Sequence, residues 1–337
     1  NTSVLLVENE GHGRMKGFIN ALLRRIAAEG KEWTTRQDIA RLNTPEWLLK
    51  IWIADYGLKG ALDIAVANAQ EAPLDITLKQ PTEIAHWAET LGGEVLPTGS
   101  LRLHNARMEQ DLPGINEGMW WVQDAAAAIP AKLFGTMLGG QSIVDLCAAP
   151  GGKTAQLASF DADVIAVDRS AKRLQRLQEN MKRLRLSNFV RTEVADAAVW
   201  RGREPVRYIL LDAPCSATGT VRRNPDVIWM KTRADISSLV ELQARLLENA
   251  IKILAPGGIL VYCTCSLQKE EGEHQIEKIL AKYDNIDRVP IQAQEVGGFS
   301  DIVTPRGDIR ILPYHLAASG GMDGFYICRL RKDARTE

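Results

Sequence analysis

Two of the chain's five cysteines stand where reactive thiols are found in enzymes. Cys215, in Leu211-Asp212-Ala213-Pro214-Cys215-Ser216, and Cys265, in Tyr262-Cys263-Thr264-Cys265-Ser266, each follow an apolar run of strand character and sit among polar loop residues. A lone cysteine is most often a buried structural residue. That role suits Cys328, inside an apolar final strand, and Cys263. For Cys215 and Cys265 it requires two coincidences at the same sheet edge. The alternative is nucleophilic chemistry, which needs a thiolate and a base to help it leave. One reaction that demands such a thiol is alkylation at carbon 5 of a pyrimidine. Addition of sulfur to carbon 6 gives carbon 5 enamine character, carbon 5 takes a methyl from a sulfonium, and loss of the carbon 5 proton expels the thiol.

A metal role for these cysteines fits the spacing poorly. The chain has no C-x-x-C pair, and His12, His86, His104, His274 and His315 do not cluster with the thiols. Pro214-Cys215 is a fragment of a zinc deaminase pattern, but the H-x-E and the second cysteine are missing. No metal is expected.

The elements that must position the thiols read as a doubly wound sheet. Candidate strands are Ile143–Cys147, Val164–Val167, Phe189–Val194, Tyr208–Leu211, Ile259–Cys263 and Phe325–Leu330. Helices are expected near Thr154–Ser159, Ala171–Leu186, Ala234–Leu254 and Glu271–Lys282, the third stopped by Pro256-Gly257-Gly258. An alanine-rich helix is expected after Asp124, running to about Leu138. Upstream, Phe18, Ala21, Leu22 and Ile26 give a helix ending near Gly30, and Trp47, Leu48, Ile51 and Trp52 give another, capped by Thr44 and running to Gly57. Leu74-Ile76-Leu78, Pro81–Leu91, Val95 and Leu101–Leu103 suggest a small α+β unit. The expected division is a helical segment over 1–72, the α+β unit over 73–117 and a Rossmann-like α/β catalytic domain over 118–333.

Ligands of open α/β sheets bind at the carboxyl ends of the strands. Cys147-Ala148-Ala149-Pro150-Gly151-Gly152-Lys153 follows the first strand, and its glycines let backbone amides approach a ligand before a helix starts. Asp168 ends the second strand, placed to hold two ribose hydroxyls. Asp196 follows the third and could accept from an adenine amino group. The loop departs from G-x-G-x-x-G and matches only the Gly152-Lys153-Thr154 end of a phosphate loop, so a nucleotide without a pyrophosphate fits better than NAD or ATP.

Composition sets bounds on partners. The 337 residues carry 41 Lys and Arg against 42 Asp and Glu, a formal charge of −1, so nucleic-acid contact must come from local patches. Lys172, Arg173 and Arg176, and Lys182, Arg183 and Arg185, read as solvated helix faces. Arg222 and Arg223 directly follow the Cys215 loop and are expected to contact phosphates flanking a target base, which must be extruded if paired. The odd, scattered cysteines, without a secretory pattern, point to a reducing cytoplasm. No apolar run approaches the ~20 residues of a membrane span. The opening at Asn1, in mid-pattern, suggests that something upstream is missing.

Asp145 to Thr154, Asp212-Ala213-Pro214-Cys215-Ser216-Ala217-Thr218-Gly219 and Thr264-Cys265-Ser266 resemble the three signature blocks of the Sun-type RNA 5-methylcytosine methyltransferases, and above all their bacterial small-subunit rRNA branch. Arg222-Arg223-Asn224-Pro225-Asp226 and Met322-Asp323-Gly324-Phe325-Tyr326 match as well, and the likeness runs from about Gly17 onward. The resemblance implies a Rossmann-like methyltransferase that uses S-adenosylmethionine on rRNA, acting as a monomer. It makes Cys265 the nucleophile and gives Cys215 a part in product release. It places Asp212 at the cytosine and cofactor end, with Lys153 facing the active site. Cofactor contacts are implied for Cys147, Ala148, Ala149, Pro150, Gly151, Gly152, Lys153, Asp168, Arg173, Asp196 and Asp212. Relatives often carry Arg-x-Asn where this chain has Thr77-Leu78-Lys79, and an N-terminal helical RNA-binding domain of which only the last helices fit here. A methyltransferase of the same family acting on tRNA or another rRNA site, a methyltransferase of amino groups on RNA or protein with the same fold, and a non-catalytic rRNA-binding assembly factor are the alternatives.

Overall fold

The structure, a computed structural model, describes residues 2–104 and 112–334. It opens with helices α1 (Thr2–Asn9), α2 (Lys16–Thr35), α3 (Ile39–Leu42) and α4 (Glu46–Asn68). Gly30 does not end α2, which continues to Thr35 with no buried residue on any face. Leu5, Leu6, Phe18, Leu22 and Ile26 stand exposed along α1 and α2. Gly57, with φ 72°, breaks the helical path of α4 as its position suggests, but the helix resumes beyond it. Pro45 takes the N-cap position expected of Thr44, without a side-chain cap. Leu48, Trp52 and Ile64 of α4 are buried against Val221, Ile228, Leu267 and Leu312, so this helix buttresses the loops that follow both reactive-thiol candidates.

Next come β1 (Leu74–Leu78), α5 (Ile84–Leu91), β2 (Glu94–Val95), β3 (Leu101–Leu103) and β4 (Trp120–Val122). They form an antiparallel sheet in the order β2-β3-β1-β4, so a strand beyond residue 117 completes the small unit. Arg102 is wholly buried in its middle. It binds both carboxylate oxygens of Asp75 at 2.7 Å and donates to the carbonyls of Ser319 and Gly321, tying the small sheet to the segment that leads into the last strand of the large one.

The large sheet is built from β5 (Ser142–Leu146), β6 (Asp163–Asp168), β7 (Val190–Val194), β8 (Val206–Asp212), β9 (Leu254–Thr264), β10 (Ile286–Arg288), β11 (Ile309–Ile311) and β12 (Phe325–Lys332). Its order is β10-β12-β9-β8-β5-β6-β7, with β11 also pairing β12. The strands from β5 to β9 pair in parallel, and β12 is antiparallel to β9, β10 and β11. Between them run α6 (Ile129–Lys132), α7 (Gly152–Ala158), α8 (Ala171–Arg183), α9 (Val227–Met230), α10 (Arg233–Ile253) and α11 (Glu273–Lys282). This is the Rossmann-like α/β sheet expected, with apolar clusters on both faces.

The expected alanine-rich helix is cut to α6 and a following short turn. Its backbone groups are claimed by side chains instead. Asp75 accepts from Ala125 N–H, Asp124 from Ala126 N–H, and the amides of Gln123 and Gln156 donate to the carbonyls of Ala127 and Ala128. Pro130 then supplies no N–H. No helix among the described residues is long and apolar enough to cross a membrane.

Candidate active site

Beyond Leu146 the chain turns at Cys147, whose φ is 63°, and passes through a cis bond between Ala149 and Pro150 to Gly151, the N-cap of α7. Gly151 has φ 106°, and a Cβ there would lie 2.7 Å from the Leu177 side chain, so the turn requires glycine twice over. Asp168, buried at the end of β6, fixes this loop from behind. It accepts from Ala149 N–H at 3.2 Å and Ser170 N–H at 2.9 Å, while Arg173 pairs with it at 3.4 Å and donates to the Ala149 carbonyl. Beneath the loop Asp145 accepts from the Thr154 hydroxyl at 2.6 Å, and burial pushes its carboxyl up to about 7. Asp196 is exposed after β7 and accepts from Ala198 N–H at 2.9 Å.

Asp168 and Asp212 thus end β6 and β8, Asp196 lies two residues beyond β7, and together they set carboxylates along one sheet edge, beside a glycine turn. This donor-poor, acceptor-rich set fits a ligand that carries hydroxyl and amino donors and positive charge.

The thiols meet farther along the same edge, past the ends of β8 and β9. Cys215 Sγ and Cys265 Sγ are 3.4 Å apart, both half-buried. Backbone bonds between the two loops hold them adjacent, from Ala213 N–H to the Cys263 carbonyl and from Gly219 N–H to the Cys265 carbonyl, each at 3.0 Å. Gly219 in turn lies against Gly324, where a Cβ would come within 2.0 Å of the Gly324 carbonyl oxygen. The hydrogen bond with Cys265, and then burial, raise the Cys215 thiol well above its ordinary pKa, so it is protonated at neutral pH. Beside the pair, Lys153 Nζ donates to Asp212 Oδ2 at 2.8 Å, and Cys263 Sγ donates to Asp212 Oδ1 at 3.4 Å. Burial alone would lower the Lys153 pKa, but the Asp212 carboxylate outweighs it and holds the ammonium charged. Burial pushes the Cys147 and Cys263 thiols up as well.

Arg222 and Arg223 do not present free cations to a phosphate backbone. The Arg222 side chain is 1% exposed; it donates to the Gly320 carbonyl at 2.6 Å and pairs with Asp323 at 3.2 Å and Asp124 at 3.7 Å. Arg223 pairs with Asp124 at 2.8 Å and Asp323 at 3.2 Å. The reason is that two carboxylates distant in sequence, from 124 and 323, converge on this loop and need cations to be buried. Arg183 is likewise engaged rather than solvated, donating to the carbonyls of Ile115 and Trp120.

Sequence reasoning passed over a group behind the thiols. Ser216, Thr218, Ser266 and Glu271 are buried and hydrogen-bonded to one another. The available signal was a serine immediately after each of the two cysteines. Among the described residues no group of three His, Cys, Asp or Glu gathers as a metal ion would need.

A model of the family described as 16S rRNA methyltransferase RsmB/F matches residues 137–331. Ribosomal RNA small subunit methyltransferase B of Pseudomonas syringae pv. tomato is 35% identical over 338 residues, covering 95% of this chain and 73% of that one. The protein of the same name from Pseudomonas putida is 36% identical over 334 residues, covering 95% and 74%. A solved methyltransferase homologue from Pyrococcus horikoshii shares the fold, with TM-score 0.71 at 24% identity over 88% of this chain and 97% of that one. Methyltransferases of this kind draw their methyl group from S-adenosylmethionine, whose ribose hydroxyls, amino groups and sulfonium charge suit the acceptor-rich edge. The family match takes in the glycine turn, the acids and both thiols, and the chain belongs to the RsmB/F family of 16S rRNA methyltransferases.

Proposed function

We propose that the protein methylates carbon 5 of a cytidine in small-subunit rRNA through a transient bond between Cys265 Sγ and carbon 6 of the base. The observation that carries this reading is the thiol pair, 3.4 Å apart at the carboxyl edge beside the Lys153–Asp212 ion pair. The names of the relatives support rRNA as the substrate class. Cys147 to Lys153, with Asp168, Arg173, Asp196 and Asp212, are the residues that would hold the cofactor. When bound, S-adenosylmethionine supplies an electrophilic methyl group.

The chain's own groups do the rest. Cys265, as a thiolate, forms the bond to carbon 6, ring electrons move toward carbon 5, and N3 takes a proton from solvent. Asp212, oriented by Lys153, holds the protonated N3 by a hydrogen bond. After carbon 5 is methylated, a base removes its proton, the double bond between carbons 5 and 6 returns, the sulfur leaves as thiolate, and N3 gives its proton back to solvent. Cys215 assists this last step. In the resting site its S–H donates to the Cys265 sulfur; once that sulfur is bonded to carbon 6 the hydrogen bond is weakened, the Cys215 proton passes to solvent, and the resulting thiolate takes the proton from carbon 5.

Tritiated S-adenosylmethionine and protein-free small-subunit rRNA test the assignment. Cys265→Ala is expected to lose methyl transfer by about 10³-fold or more. Cys215→Ala is expected to accumulate a protein–RNA adduct that survives denaturing electrophoresis. Normal turnover by Cys265→Ala would instead identify an amino-group methyltransferase, which needs no thiol, and RNA binding without any transfer would identify an assembly factor.

A further inference from the structure

Glu271 lies in the turn between β9 and α11 and is fully buried behind the two thiol loops. Its Oε1 accepts from Ser216 N–H and from the Gln243 side-chain amide, both at 2.9 Å. Its Oε2 accepts from the hydroxyls of Ser216 and Ser266, both at 2.5 Å. The carboxylate pairs with no cation among the described residues; four hydrogen bonds satisfy it. A buried carboxylate without a counter-ion is costly, and it persists only where its lone pairs are filled.

The partners of this carboxylate carry the argument. Ser216 is the residue after Cys215, and Ser266 the residue after Cys265. A single side chain therefore grips both loops one bond away from each sulfur-bearing residue. Their remaining contacts close the same knot, with Ser216 and Ser266 hydroxyl oxygens 3.1 Å apart and Thr218 Oγ1 accepting from Leu267 N–H at 3.0 Å. Gln243, reaching from α10, also donates to the Pro214 carbonyl at 2.9 Å. The Tyr262 hydroxyl donates to the Glu271 carbonyl at 2.7 Å and fixes the backbone of the turn.

We infer that Glu271 is a positioning residue for the methyl-transfer reaction, setting the separation and aim of Cys215 and Cys265 by holding Ser216 and Ser266 on one carboxylate. The inference rests on the thiol mechanism proposed above. It separates two substitutions that a merely structural account would treat alike. Glutamine keeps the shape and can reproduce the bonds: its oxygen accepts from Ser216 N–H and Gln243, and its amide donates to the two serine oxygens, whose hydroxyl protons turn elsewhere. Alanine removes the shared acceptor of four donors at once: the Ser216 N–H is left with none, and the two hydroxyls can turn only to each other and to Thr218.

The experiment follows adduct formation in the full chain carrying Cys215→Ala, with tritiated S-adenosylmethionine and protein-free small-subunit rRNA. Adding Glu271→Ala is expected to slow the adduct by roughly 100-fold, the scale of a misplacement near 1 Å, with the RNA KM changed less than about threefold. Adding Glu271→Gln is expected to keep the rate within about fivefold of its parent. Adduct formation by the Glu271→Ala protein at its parent's rate overturns the inference. So does a glutamine variant that falls as far as alanine, because the carboxylate then acts through its charge. If Glu271→Ala does not melt cooperatively, the Ser216→Ala/Ser266→Ala protein, which keeps the carboxylate and two of its donors, carries the same expectation and the same overturning result.

Failure of the parent reading is visible separately, as absence of any adduct in Cys215→Ala alone. In that event the spacing is still measured in the resting protein with both cysteines present. A diazene oxidant takes two hydrogens from the thiols and leaves a Cys215–Cys265 disulfide. Glu271→Ala should slow this closure by about tenfold, and an unchanged rate overturns the inference.

Discussion

The two edges of the candidate site are held by different means. At the cofactor edge, position is written into backbone conformation, with a left-handed Cys147, a glycine at φ 106° and a carboxylate from the next strand bonded to the loop's own amides. The loop, Asp168 and Arg173 lie within about thirty residues of sequence, a compass that a βαβ unit spans, while Asp196 and Asp212 come from the two strands that follow. At the thiol edge, position comes from buried polar groups that meet across the fold, with Glu271 gripping residues 216 and 266, and Asp124 and Asp323 gripping Arg222 and Arg223. The first kind of edge is rigid because few conformations are allowed. The second is rigid only while every donor keeps its acceptor.

The contrast can be broken most forcefully at Arg222. Arg222→Met leaves Asp323 and Asp124 with one guanidinium instead of two, and we expect about 3–5 kcal/mol of stability to be lost in denaturant titrations. The salt dependence of RNA binding should stay as it is in the parent, since this side chain is spent on carboxylates; a slope reduced by about 0.7–0.9 would return it to the phosphate backbone. Gly151→Ala strikes the other edge. A Cβ at φ 106° and 2.7 Å from Leu177 should cost about 2–4 kcal/mol and weaken S-adenosylmethionine binding in calorimetry, while Cys215–Cys265 disulfide closure proceeds at the parent rate. Unaltered cofactor affinity would show that the turn is not where the ligand sits.

The smallest effect is expected beneath the cofactor loop, at Asp145. Burial raises its pKa from 3.8 to about 7, so between those values the folded protein holds a proton that the unfolded chain has released. Its contribution to stability therefore falls as pH rises through that window and is lowest above it. Asp145→Asn does not titrate, and its melting temperature should gain on the parent's as pH rises from about 5.5 to 7, by an amount equivalent to about 1–2 kcal/mol. A difference that is flat with pH would place the Asp145 carboxyl in its ordinary range.

The same division explains what was legible in the sequence. The alternation of strands and helices, the glycine turn and the acids at strand ends are local patterns, and the sheet puts them where the spacing implies. The strand-end cysteines were legible as a pair because each has polar neighbours, though their 3.4 Å approach is a property of the fold. Three expectations failed for one physical reason. The helix after Asp124, the solvated Arg183 and the phosphate-facing Arg222 and Arg223 each depend on groups supplied from elsewhere, namely Asp75, Gln156, the carbonyls of Ile115 and Trp120, and Asp323. A run of alanines states a propensity for helix, but it does not state that distant side chains will take its hydrogen bonds. The short β10 and β11 escaped notice because three-residue strands carry almost no periodicity.

The place of β12 has a consequence for how the protein comes into being. Residues 325–332 enter the large sheet between β9 and β10, and Tyr326 pairs directly with Thr264, the neighbour of Cys265. During synthesis, which proceeds from the amino end, the glycine turn and its acids can settle as soon as β5 to β8 have emerged. The strand end that carries Cys265 gains its last backbone support only when the chain has been made beyond residue 326. A ribosome that stalls before that point therefore leaves a polypeptide with the glycine turn and its acids formed and Cys265, the proposed nucleophile, still unbraced.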